Sequence, residues 1–226
     1  MKKITALLLM LVMLIMFASC GEETVSETSA VAEVNGDVIT QEEIDYFKGT
    51  FKAEVLNDFI EKYSVEYTED FWQTEFEGTT PQQVLDEKAL EESIMVKLQF
   101  IEMREEGIYE DISFRGLREK AEMFNEENAD KEGVVGIRSI KMSQFYTYYF
   151  QNGVMELKNI YAEGKLKPTE KEIEEKIREL NLESENGDAG VLPEDYENVA
   201  ADKLKTEKYD LYIDELRKNA EIKAGL

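Results

Sequence analysis

Ala30-Val31-Ala32-Glu33-Val34-Asn35-Gly36-Asp37-Val38-Ile39-Thr40-Gln41-Glu42-Glu43 carries two signals in one run. Two short apolar stretches flank Asn35-Gly36. That dipeptide favours a type I′ hairpin turn, because both central residues need positive φ. Thr40-Gln41-Glu42-Glu43 then reads as a capping box. The Thr40 hydroxyl accepts from the amide three residues on, and Glu43 reaches back to the Thr40 amide. A helix should begin there. Ile44, Phe47, Phe51, Val55 and Phe59 follow at spacings of three to four, which gives that helix one apolar face.

Downstream, the same grammar repeats. Residues 64–79 are less regular and carry Phe71, Trp72 and Phe76. Gly78-Thr79-Thr80-Pro81 opens a second helix, with Thr80 as cap, Pro81 in the first turn and Gln83 completing a box. Val84 to Glu106 reads as a long helix with Leu90, Ile94, Leu98 and Ile101 on its inner stripe, and Gly107 stops it. A helix over 113–127 turns Phe114, Leu117, Ala121 and Phe124 inward. Residues 129–139, with Gly133 and Gly136 around Val134-Val135, read as a turn or brief strand. Another helix runs over 143–163. Lys167-Pro168-Thr169 opens the next, where Thr169 and Glu172 form a third capping box ahead of Ile173, Ile177 and Leu180. Residues 183–195 are a polar loop containing Gly187, Gly190 and Pro193. A last helix over 194–220 leads into Glu221-Ile222-Lys223, a small strand. No internal repeat is visible. The fold class is therefore mainly α, with a small β-hairpin at the front and a strand at the end.

Upstream, Met1-Lys2-Lys3 precedes an apolar run from Ile4 to Phe17. A charged start followed by a short apolar run is the pattern of a secretory signal. The run falls short of the roughly 20 apolar residues that a spanning helix needs. It ends in Phe17-Ala18-Ser19-Cys20-Gly21, which resembles the lipobox of bacterial lipoproteins, with Phe17 where leucine is usual. The resemblance implies cleavage after Ser19 and lipid on Cys20, the sole cysteine of the chain. Residues 1–19 are then a signal peptide and 20–29 a small, polar tether. Residues 30–226 form the folded domain, held on the outer face of the bacterial cytoplasmic membrane. Two or more acyl chains anchor stably where one does not.

Composition narrows the function further. The 226 residues hold 26 basic against 50 acidic side chains, a formal charge of −24. So anionic a surface argues against nucleic acid as a partner and attracts cationic segments of other chains, in a salt-dependent way. There are no histidines. That removes the commonest general base and metal ligand, and with it any Ser-His-Asp triad, Cys-His pair or histidine zinc site. The glycines are scattered and form no phosphate-binding loop. Acid pairs such as a glycosidase uses need two carboxylates at a set spacing, and no pair stands out among so many. The expectation is a protein with no enzymatic activity, no cofactor and no metal.

Several segments together resemble one family. Val31 to Thr40 with its acidic helix start is similar to the opening of SurA- and PrsA-type extracytoplasmic foldases. Phe71-Trp72 with Gly78-Thr79-Thr80-Pro81 resembles their next segment. Lys167-Pro168-Thr169-Glu170-Lys171-Glu172-Ile173 resembles the short helix leading into their isomerase domain. Lys203 to Ile222, with Leu211-Tyr212-Ile213-Asp214-Glu215-Leu216-Arg217, resembles their final helix and closing strand. The shared order covers most of residues 30–226. In those foldases a parvulin-type prolyl isomerase lies between the last two elements. Here only the loop near 181–195 fills that interval, too short for a domain, and parvulin sites resemble one another in using histidines. The resemblance implies the SurA-N-like chaperone module alone: an ATP-independent holdase for unfolded or partly folded exported polypeptides, without isomerase activity.

Such a module needs apolar surface that stays exposed. Phe71, Trp72 and Phe76 are one candidate for client binding. Phe145, Tyr146, Tyr148, Tyr149 and Phe150 are the other, and these cannot all lie on one side of a helix. Any single aromatic is more often core than surface. The competing expectation is a lipoprotein module that docks on one dedicated envelope partner.

Overall fold

The computed structural model describes residues 30–129, 139–180 and 195–225. The signal, Cys20 and the tether lie outside these residues. So do the turn expected within 129–139, apart from its ends, and nearly all of the loop at 181–195.

The chain opens as expected. β1 (Ala30–Val34) pairs antiparallel with β2 (Asp37–Thr40). Asn35 (φ 50°) and Gly36 (φ 91°) take the left-handed conformation that a type I′ turn requires. β3 (Ile222–Ala224) pairs antiparallel with the other edge of β1, giving the order β2-β1-β3. The turn residue also anchors this closure. The Asn35 amide donates to the Glu221 carbonyl and the Glu221 amide to Asn35 Oδ1, each at 2.9 Å. Ala32, Val34 and Ile39 are fully buried, so the hairpin lays one face on the helices.

Six α-helices are described. α1 (Gln41–Tyr63), α2 (Pro81–Glu105) and α5 (Glu170–Glu179) each start in the capping box that the sequence indicated, at Thr40/Glu43, Thr80/Gln83 and Thr169/Glu172. α3 (Phe114–Ala129), α4 (Met142–Glu163) and α6 (Tyr196–Asn219) complete the set. Between α1 and α2 lie a 3-10 turn (Phe71–Gln73) and a tight reversal, in which Phe76 and Thr79 bridge across Glu77 (φ 53°) and Gly78 (φ 93°). The composition of 64–79 did not reveal that second turn, because glutamate rarely takes positive φ.

α2 is the axis. It contacts α1, α4, α6, the hairpin and the 3-10 turn. From Ser93 to Met103 it buries residues all round, including Lys97 and Glu102, rather than the single stripe its apolar spacing suggested. Its N-terminal half pairs with the C-terminal half of α1 around a second apolar cluster of Val55, Phe59, Phe71, Trp72 and Leu85. A third small cluster, Ile177 and Ala200, joins α5 to α6. α4 approaches α2 closely at Gly153. A Cβ there would stand 2.5 Å from Met103 Sδ and 2.7 Å from a Tyr109 ring carbon, so only glycine fits without displacement.

Candidate functional site

Where α1, α2 and α4 diverge they leave a cleft of about 210 Å³. α1 contributes Tyr46, Phe47, Thr50 and Phe51, which share a face because they sit four and one apart. α2 contributes Glu92 and Val96, one turn apart. α4 contributes Tyr146, Thr147, Phe150 and Gln151. The wall is an aromatic lattice. The Tyr46 and Tyr146 rings are centred 4.7 Å apart, Tyr46 and Phe47 5.0 Å, Phe47 and Tyr146 5.9 Å, and Phe100 backs Phe150 at 5.4 Å. Edge and tilted contacts of this kind hold rings in fixed orientation.

Beneath this wall Lys97 Nζ meets Glu43 Oε1 at 2.8 Å with both side chains buried. The same Glu43 completes the α1 cap. One carboxylate therefore fixes the start of α1 against the middle of α2. Burial, with Glu43 among the neighbouring charges, pushes the Tyr146 hydroxyl well above the ordinary tyrosine range, so it stays protonated.

A second polar centre ties α4 and α6 to α2. Glu102 Oε2 accepts from the Tyr161 hydroxyl at 2.5 Å, the Tyr212 hydroxyl at 2.7 Å and Lys165 Nζ at 3.2 Å. Lys165 also lies 3.7 Å from the Tyr161 ring centre and 4.2 Å from that of Tyr212. Burial works to raise the Glu102 carboxyl, but its three donors outweigh it and hold the group below its ordinary value. Every partner of this cluster is internal, which makes it a strut and not a vacant site.

No protein-family model, curated protein or solved structure matches the chain. What the cleft can do is then a matter of its own chemistry. Its volume lies below the ~300–1,000 Å³ of typical small-molecule pockets. That is room for one or two side chains and too little for a typical cofactor. Among the described residues no three acidic side chains converge on a metal position, and no helix is long and apolar enough to cross a membrane.

The aromatics expected to bind clients are dispersed. Phe71 and Trp72 are buried in the second cluster, with Phe76 half-buried against Phe59 and stacked on Tyr63. Phe145 and Tyr146 are buried, and Tyr149 is half-buried, stacked on Tyr109 at 4.0 Å. Tyr148 points to solvent, 64% exposed. Only Tyr146 and Phe150 reach the cleft. Cys20 lies outside the described residues. The sequence reading missed Tyr46, Phe47, Phe51 and Glu92 as site residues. Tyr46 beside Phe47 widens the apolar face of α1 beyond what a core stripe needs, and that was the available signal.

Proposed function

We propose that the chain is an ATP-independent holding chaperone for exported polypeptides, anchored by lipid on Cys20 and lacking prolyl isomerase activity. The cleft between α1, α2 and α4 grips unfolded segments. The observation that carries this reading is an aromatic-walled, solvent-facing cleft of side-chain size on a chain of −24 formal charge. Ring faces offer contact area without sequence specificity. The surrounding negative charge keeps a complex soluble and draws in basic clients. The ordered resemblance of 31–40, 71–81, 167–173 and 203–222 to SurA- and PrsA-type foldases supports the same assignment.

The test is light scattering from a denatured, slightly basic client with the full chain at several-fold excess, run beside a tetrapeptide isomerase assay. Suppressed scattering without isomerisation is expected. Unchanged scattering sinks the chaperone reading, and isomerisation sinks the claim of a chaperone module alone. A dedicated envelope partner is the second reading. It is favoured by Tyr148 and Met155, 64% and 60% exposed and two turns apart on one side of α4. One stoichiometric partner in a pull-down, with no capture of unfolded chains, would select it.

A further inference from the structure

α2 carries acidic side chains of opposite circumstance. Glu102 is saturated by Tyr161, Tyr212 and Lys165. Glu91 is held in a two-bond pair by Arg217, at 2.7 and 2.8 Å. Glu92 lies in the cleft wall, half-buried, and has no hydrogen bond or ion pair among the described residues. The lysines of α1 and α2 that bridge these helices are already engaged. Lys48 pairs with Asp86 at 2.7 Å, Lys88 with Glu54 at 2.5 Å, and Lys97 with Glu43 at 2.8 Å. Lys88 in addition lies over the Phe51 ring at 5.5 Å. A carboxylate withdrawn from water with no counter-charge is costly to keep. Burial, and then the charge of Glu91, raise its proton affinity above the ordinary carboxylate value. Beside it stand the Tyr46, Phe47, Phe51, Tyr146 and Phe150 rings, whose faces attract a cation and pack an aliphatic stem.

We propose that the cleft selects polypeptide segments presenting a lysine or arginine next to apolar residues, with Glu92 taking the charged head and the aromatic wall its stem and neighbours. This rests on the cleft being the client site. It adds that capture is directed by one charge at a defined position, as well as by the diffuse negative field of the chain. An incoming cation supplies the partner that Glu92 lacks, and a charge-assisted bond in a partly dry cleft is stronger than one at the surface.

The test uses the full chain and three labelled leucine-rich peptides that differ only at a central lysine, norleucine or glutamate. Their affinities are read by fluorescence anisotropy at low and high salt. The unmodified chain should bind the lysine peptide about tenfold more tightly than the norleucine peptide, the difference one charge-assisted bond gives. The glutamate peptide should bind weakest. In Glu92→Gln the lysine preference should fall to within about twofold while norleucine binding is kept. Thr50→Trp, which fills the cleft mouth from an exposed helical position, should weaken the lysine and norleucine peptides alike. A full lysine preference in Glu92→Gln, or none in the unmodified chain, overturns the role of Glu92 and leaves the cleft as client site. Peptide binding that Thr50→Trp does not disturb overturns the cleft itself.

Discussion

Two aromatic clusters look equivalent in the sequence and end in different places. Phe71, Trp72 and Phe76 lie in a 3-10 turn and a tight reversal. A backbone that curls can direct every ring to one side, and here Phe71 meets Trp72 at 5.6 Å, Phe59 at 6.4 Å and Phe76 at 6.1 Å. Phe145, Tyr146, Tyr148, Tyr149 and Phe150 ride on α4, where each residue turns about 100° from the last. They are dealt out around the helix: Phe145 and Tyr146 are buried, Tyr146 and Phe150 line the cleft, Tyr149 stacks on Tyr109 and Tyr148 faces solvent. Aromatic density therefore does not measure exposure. The backbone that bears the rings decides whether any are left over for a partner.

The sharpest way to break this contrast is Phe71→Ala. If the first cluster is core alone, the substitution should cost about 3–5 kcal/mol. Urea unfolding followed by fluorescence of Trp72, the one tryptophan and a neighbour of Phe71, would measure it. A loss under about 1 kcal/mol, the range of surface substitutions, would mean that the cluster is not closely packed.

Next in size is the strut that holds α4. Glu102→Gln should cost about 1–3 kcal/mol at neutral pH, since a buried acceptor for three donors loses its charge. The pH dependence has a definite sign. The Glu102 carboxyl is depressed below 4.5 in the folded chain. Its stabilisation is therefore fully present above about that pH, and is lost as pH falls through the folded-state value. The unmodified chain and Glu102→Gln should converge in stability on acidification. A constant gap between their urea midpoints from pH 7 to pH 3 would contradict this assignment.

The smallest expected effect on stability belongs to Tyr148, and the expected effect on capture to Phe150. Tyr148→Ala should shift stability within about 0.5 kcal/mol and leave client capture unchanged. Phe150→Ala should weaken capture several-fold, measured by the client excess needed to halve scattering. The reverse order would move the binding surface to the outer side of α4.

Much of the fold was legible because its signals are local. Asn35-Gly36 names its turn, and three Thr-led boxes name three helix starts. The strand near Ile222 was expected, but its pairing with β1 was not, because register between residues 34 and 222 is set by tertiary closure. The buried roles of Lys97 and Glu102 were not legible, since nothing in sequence shows that Glu43, Tyr161 and Tyr212 will meet them. The cleft was the least legible feature. It is the meeting of three helices, and Glu92 is one of 50 acidic residues in the sequence; the structure places it in the cleft wall with no ion pair among the described residues.

If the chain holds unfolded clients as proposed, the point at which a client touches it decides between the two aromatic regions. A photoreactive side chain placed at exposed Thr50, at the cleft mouth, or at exposed Thr74, beside the second cluster, separates the two aromatic regions directly. Crosslinking of a denatured client from Thr50 and not from Thr74 is the predicted result. Crosslinking from Thr74 with none from Thr50 would contradict it and return the client site to Phe71, Trp72 and Phe76.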